Sequence, residues 1–178
     1  MTNVIKKMLL TTLDKKIFLL KIQLNKKILE VQLMFGIIVG THGAFATGVL
    51  QSLEMIFGKR DGVKAVTLMP GEGPDDVVAK YEKTIKELGN PDRVLFLNDL
   101  LGGSPYNAAC RIVATHENYG IVTGVNLPML IEMASAQDMD DGSKSIADLM
   151  EQASEAGKNG ISTSSYESLN SSSDDDDL

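Results

Sequence analysis

Phe35-Gly36-Ile37-Ile38-Val39-Gly40-Thr41-His42-Gly43 decides the fold. A short apolar run gives way abruptly to glycine, threonine and histidine, as a strand buried on both faces does where it leaves its sheet. Directly behind it Phe45, Val49, Leu50, Leu53 and Phe57 recur at helical spacing, and Gly58 predicts the stop. The same alternation continues down the chain. Residues 63–68 mix Lys64 and Thr67 with apolar neighbours, as an edge strand would. Pro74 followed by Asp75 and Asp76 marks a helix start, because proline fits the first turn and carboxylates favour the positive end of the dipole. Val77, Val78, Tyr81, Ile85 and Leu88 form that helix's apolar stripe. Residues 93–97 read as a second buried strand. Ser104-Pro105 opens a helix to about Thr115 with Ala109, Cys110 and Val113 inward. Residues 119–125 read as a fourth strand, with further helices over 128–136 and 145–157. This order predicts an α/β fold: a doubly wound, mainly parallel sheet of strand order 2-1-3-4, flanked by helices.

Composition narrows the class. The 178 residues are 43% hydrophobic and 23% charged, with a formal charge of −7. That balance suits a globular cytosolic domain and argues against nucleic acid as a partner, which needs a basic face. One cysteine and two histidines cannot build a disulfide framework or a structural zinc site, so no metal and no cofactor is expected. The charge is uneven. Residues 1–33 hold seven lysines against two carboxylates, and all glycines and prolines lie after Met34. Residues 1–33 are therefore read as an extension from a misplaced start, with Met34 as the biological one. Residues 34–160 form the domain. Residues 161–178, rich in Ser and Asp, read as an acidic disordered tail.

In open parallel sheets ligands bind beyond the carboxyl ends of the strands where the strand order reverses, here between the first and third. Gly40-Thr41-His42-Gly43 follows the first strand, and Asn98-Asp99-Leu100-Leu101-Gly102-Gly103-Ser104-Pro105 follows the third. Histidine and aspartate then face each other beside a glycine pair and a helix N-terminus. Imidazole is nucleophilic at neutral pH and passes on a phosphoryl group readily. A carboxylate bonded to one ring nitrogen leaves the other with its lone pair outward. Gly102 and Gly103 let backbone approach an anion at the helix start, and Thr41 and Ser104 can add hydroxyl donors. Neither loop holds a lysine or arginine. His116 reads as a surface residue, Asp61 and Asp92 as turn residues, and Cys110 as a small core side chain.

At these residues the sequence resembles the IIA domain of the mannose-type (mannose/fructose/sorbose) sugar phosphotransferase system. The likeness runs from about Phe35 to Gln137. It includes Gly40-Thr41-His42-Gly43, the Met69-Pro70-Gly71-Glu72 turn, Leu95-Phe96-Leu97 leading to Asp99, Gly102-Gly103-Ser104-Pro105 with Asn107-Ala108-Ala109, and Gly124-Val125-Asn126 with Pro128-Met129. The resemblance implies that His42 accepts a phosphoryl group from HPr and passes it to a IIB domain, while membrane IIC and IID subunits import the sugar. It implies that Asp99 orients the ring and that Thr41, Gly102, Gly103 and Ser104 hold the phosphoryl group. It further implies a cytoplasmic homodimer, peripheral to the permease, with a C-terminal strand exchanged between subunits and sought here within residues 155–165. Leu100 and Leu101 depart from the family, whose members can carry a hydroxyl residue and an aromatic there. The competing readings are the phosphotransferase subunit of dihydroxyacetone kinase, a regulatory phosphorylation module, and a flavodoxin-like flavin binder.

Overall fold

The computed structural model of this chain describes residues 16–23 and 34–171. Four strands, β1 (Gly36–His42), β2 (Val63–Leu68), β3 (Val94–Asn98) and β4 (Tyr119–Thr123), alternate with α1 (Phe45–Phe57), α2 (Pro74–Glu87), α3 (Ser104–Val113) and α4 (Leu127–Asp138). Two more helices follow, α5 (Ile146–Asn159) and α6 (Tyr166–Ser171). The sheet order is β2-β1-β3-β4, as the alternation predicts, and every pairing is parallel.

Period-two alternation explains why β1 can be apolar throughout. Ile37 and Val39 pack with Leu95 and Leu97 against α1, α4 and α5, where Leu53, Leu130, Met133 and Leu149 are fully buried. Ile38 and Phe96 face the other way, onto Tyr81 of α2 and Ala108, Ala109 and Ile112 of α3. Both faces of the sheet are therefore covered, as parallel sheets require. The start of β1 is clamped as well: Asp140 accepts from the Phe35 N–H and pairs with Arg93 at 2.7 Å.

Several expectations need correction. The buried face of α3 is Pro105, Ala108, Ala109 and Ile112, while Cys110 is only half-buried. Val113 packs, partly buried, against the edge of the same cluster. β4 stops at Thr123 because Gly124 turns into the left-handed region, φ +81°, and the Val125 N–H goes to the Asn98 carbonyl. Residues 155–165 hold no strand within this chain: α5 runs to Asn159, and 161–165 carry no regular element. The segment read as a disordered tail contains a short exposed helix, α6. Residues 172–178 lie outside the described residues. So does most of the 1–33 extension, whose described part, 16–23, is an exposed helical stretch.

Candidate functional site

β1 and β3 are hydrogen-bonded neighbours whose register pairs Gly40 with Asn98. Two residues past that point on β1 comes His42; one residue past it on β3 comes Asp99. The carboxyl ends of the two strands thus deliver residues 57 positions apart to one place. Asp99 Oδ2 accepts from the His42 backbone N–H and lies 2.9 Å from its ring Nδ1, while Oδ1 accepts from the Leu100 N–H. An ionised carboxylate can only accept, so Nδ1 carries the ring proton and Nε2 keeps its lone pair. The His42 side chain is 43% exposed and that of Asp99 18%. The imidazole is thus more open than the carboxylate that contacts it.

The helix N-terminus stands against that nitrogen. A Cβ built on Gly103 would lie 2.6 Å from His42 Cε1 and 3.3 Å from Nε2, so only glycine leaves the ring in place. Gly102 adopts φ +77°, and Asn107 Nδ2 donates to its carbonyl, holding the loop onto the first turn of α3. Gly103 is the N-cap residue and Ser104 opens the helix, whose first N–H groups lack intrahelical acceptors. His42, Asp99 and Gly103 are brought together here, and Gly102 and Ser104 flank Gly103 in the turn into α3. Thr41 is not among the exposed donors. Its side chain is fully buried, accepts from the Ala46 N–H at 2.7 Å and donates to the His42 carbonyl, so it ties the start of α1 to the His42 loop.

Beneath the site lies a polar network that the sequence reading missed. In the sequence Tyr81 falls on the apolar stripe of α2, and Asn98 heads the loop that follows the third strand. The Tyr81 hydroxyl donates to the Pro105 carbonyl, and Asn98 Nδ2 donates to the Gly40 carbonyl and to Tyr81. One pair of side chains thus joins β1, β3, α2 and the first turn of α3. Burial, the largest influence, pushes the Tyr81 phenol far above its ordinary value, so it remains a donor. Gly40 has no room for a side chain, because a Cβ there would overlap the Tyr81 hydroxyl. Asn98 Oδ1 is the one buried side-chain polar atom left unpaired among the described residues. The available signal was an asparagine directly before Asp99 in an otherwise apolar strand.

A cation does reach this end of the sheet, from another element. Lys80 of α2 donates to the Thr67 carbonyl of β2 and pairs with Glu72 at 2.5 Å. The Lys80 hydrogen bond, reinforced by the Met69 N–H, holds the Glu72 carboxyl below its ordinary value. His116 is elsewhere. It is exposed, stacks on Tyr119 with ring centroids 4.5 Å apart, and has Nδ1 2.9 Å from the Ile112 carbonyl. It lines a groove of about 530 Å³ between α2 and α3, at the helix ends remote from Ser104. Among the described residues no cluster of three or more metal-ligating side chains occurs, and no helix is long and apolar enough to cross a membrane.

Comparison with known proteins bears on the same residues. A family model described as "PTS system fructose IIA component" matches residues 36–150. The mannose-specific EIIAB component of the phosphotransferase system of Escherichia coli K12 is 40% identical over 126 residues, 71% of this chain. The match covers 38% of that relative, so the chain spans well under half its length. The fructose-specific EIIA component of Bacillus subtilis is 37% identical over 59% of this chain and 72% of its own length. Among solved structures, the mannose/sorbose specific IIA subunit from Enterococcus faecalis superposes with a TM-score of 0.65 at 29% identity, covering 74% of this chain and 96% of that one.

Proposed function

The chain belongs to the family of PTS system fructose IIA components, and from that premise we propose that it is a phosphoryl carrier: His42 accepts a phosphoryl group from phospho-HPr and hands it to a IIB domain. The observation that carries this reading is the 2.9 Å contact from Asp99 to His42 Nδ1, which leaves Nε2 free beside the N-terminus of α3. As the Nε2–P bond forms, the P–N bond on the donor histidine breaks and the donor imidazole leaves with its electron pair. The His42 ring keeps its Nδ1 proton throughout, so the phosphorylated ring is cationic and the Asp99 carboxylate balances that charge. The α3 N–H groups, the Gly102-Gly103 backbone and the Ser104 hydroxyl offer donors to the phosphoryl oxygens. Passing the group to IIB reverses the same step at His42.

The wider setting belongs to the proposal too. The carrier works in the cytoplasm against a permease of IIC and IID subunits, as a homodimer. Among the described residues β4 pairs with β3 alone, and an edge strand of this kind can take up a further strand. Incubation with enzyme I, HPr and phosphoenolpyruvate is expected to add one acid-labile, base-stable phosphoryl group. Labelling should vanish in His42→Ala and persist in His116→Ala. A labelled His42 variant would overturn the assignment.

A further inference from the structure

We propose that Tyr81 is a positioning residue for phosphoryl transfer at His42: its buried hydroxyl, steadied by Asn98, pins the first turn of α3 where the N–H groups beside Pro105 meet a phosphoryl group on Nε2. The inference rests on the carrier reading and names what holds that anion site in place. Few donors remain at the start of α3. The Gly103 N–H goes to the Leu100 carbonyl at 3.2 Å, and the Asn107 N–H to the Gly103 carbonyl at 2.9 Å. Proline has no N–H, so the donors left in the first turn are those of Ser104 and Tyr106, one on each side of Pro105. Pro105 is the residue that Tyr81 holds, through a bond of 3.2 Å to its carbonyl.

The other end of the network is the backbone of β1. Asn98 Nδ2 reaches the Gly40 carbonyl at 2.8 Å and the Tyr81 oxygen at 2.9 Å, and Gly40 lies two residues before His42. The missing side chain at Gly40 is what admits the phenol. Hydrogen bonds thus run from the strand that carries the nucleophile to the turn that carries the donors. Packing alone does not do this. The Tyr81 ring meets Phe96 edge-on, with centroids 5.0 Å apart, and phenylalanine would keep that contact. Apolar contact has no direction and lets a helix slide or turn a little, whereas a hydrogen bond to one carbonyl fixes where that turn sits. Stability does not account for the polar pair either. Asn98 ends a strand whose other residues, Val94 to Leu97, are all apolar. Its Oδ1 is buried with no donor among the described residues, a cost that an apolar side chain there would not incur.

The test uses the full-length chain carrying Tyr81→Phe, with Tyr119→Phe as the matched control. Tyr119 lies in the same buried cluster, but its hydroxyl bonds to the Pro91 carbonyl at 3.4 Å, at the opposite end of the sheet. Transfer is followed from phospho-HPr and from phosphoramidate, a small donor that brings no protein surface. Tyr81→Phe is expected to lower the maximal rate about tenfold with both donors. The KM for phospho-HPr should stay unchanged, and labelling should still reach one phosphoryl group per chain at completion. Tyr119→Phe is expected to transfer at the wild-type rate. Nitrogen NMR shifts of the His42 ring in Tyr81→Phe should still report the Nδ1–H form, because Asp99 is untouched. A Tyr81→Phe rate within twofold of wild type overturns the proposal. So does an equal slowing by Tyr119→Phe, which marks general loosening of the fold. A change of tautomer also overturns it, since the hydroxyl would then act through the ring and not through α3. If phosphoramidate labels the wild-type chain and phospho-HPr never does, the carrier function proposed above falls, and the phosphoramidate ratio still decides the role of Tyr81.

Discussion

Gly103→Ala isolates the geometry at Nε2 from the stability of the fold. Gly103 has φ −67° and ψ 164°, extended backbone that alanine adopts without strain. Such a Gly→Ala change stabilises by about 0.4–1 kcal/mol through the unfolded chain. The new methyl would nevertheless sit 2.6 Å from His42 Cε1, where ordinary contact begins at 3.4 Å, so the ring must retreat by ~0.8 Å. The Leu100 carbonyl at 3.3 Å leaves the methyl little room to move instead. Retreat pulls Nδ1 off the Asp99 carboxylate or swings Nε2 away from the α3 N-terminus. A misplacement of about 1 Å costs on the order of 10²-fold in rate, about 2.7 kcal/mol of barrier. Stability should move by less than about 1 kcal/mol, since the displaced ring is half in solvent. Phosphoryl transfer from phospho-HPr and denaturant unfolding of the same preparation measure the two quantities. Gly89→Ala is the counterpart. Its φ of +86° and empty surroundings put strain on the backbone far from the site. That variant should unfold more easily by about 1 kcal/mol and transfer normally per folded molecule. A Gly103 variant within threefold of wild type would refute the idea that the helix terminus constrains the ring.

Asp99→Asn keeps the shape but turns one acceptor oxygen into a donor, so the contacts to His42 Nδ1, the His42 N–H and the Leu100 N–H cannot all survive. Transfer should fall roughly 10²-fold, with the thermal midpoint down by only a few degrees; a rate within twofold would reduce Asp99 to a loop brace. At the N-terminus of α5, Ser145 accepts from the Asp148 N–H while the Asp148 carboxylate bonds back to Ser145. The Ser145 side-chain and backbone hydrogen bonds hold the Asp148 pKa below its ordinary value. Ser145→Ala should cost about 1 kcal/mol at neutral pH. A depressed carboxylate pKa gives stability that is complete above the unfolded value and lost as pH falls through the folded one. The gap between wild type and variant in thermal unfolding should therefore narrow as Asp148 protonates in acid. A gap independent of pH would show that the carboxylate contributes nothing.

Much of the architecture was legible because local burial leaves a period in the sequence. β1, with Ile37, Ile38 and Val39 buried, could only be a strand covered on both sides, and the stripe on α1 could only face a core. Turn chemistry placed both site loops. Where the reading slipped, a local pattern was asked for information it does not carry. The rotation of α3 depends on what lies beneath it, which moved the buried face from Cys110 and Val113 to Ala108 and Ile112. The end of β4 depends on the Asn98 carbonyl, which takes the Val125 N–H across the sheet.

The sequence alone determined the order of strands and helices, the switch point between β1 and β3, and the pairing of His42 with Asp99 as the residues with chemistry to offer. Tertiary structure alone decided which ring nitrogen is free, that Thr41 is buried while Ser104 is not, and that Tyr81 and Asn98 brace the site. The division has a physical cause. Periodicity, caps and turns reflect forces between residues a few positions apart, which any short window contains. The distance between two loops 57 residues apart is set by sheet register and by side chains buried from both faces, and no window of sequence holds those terms.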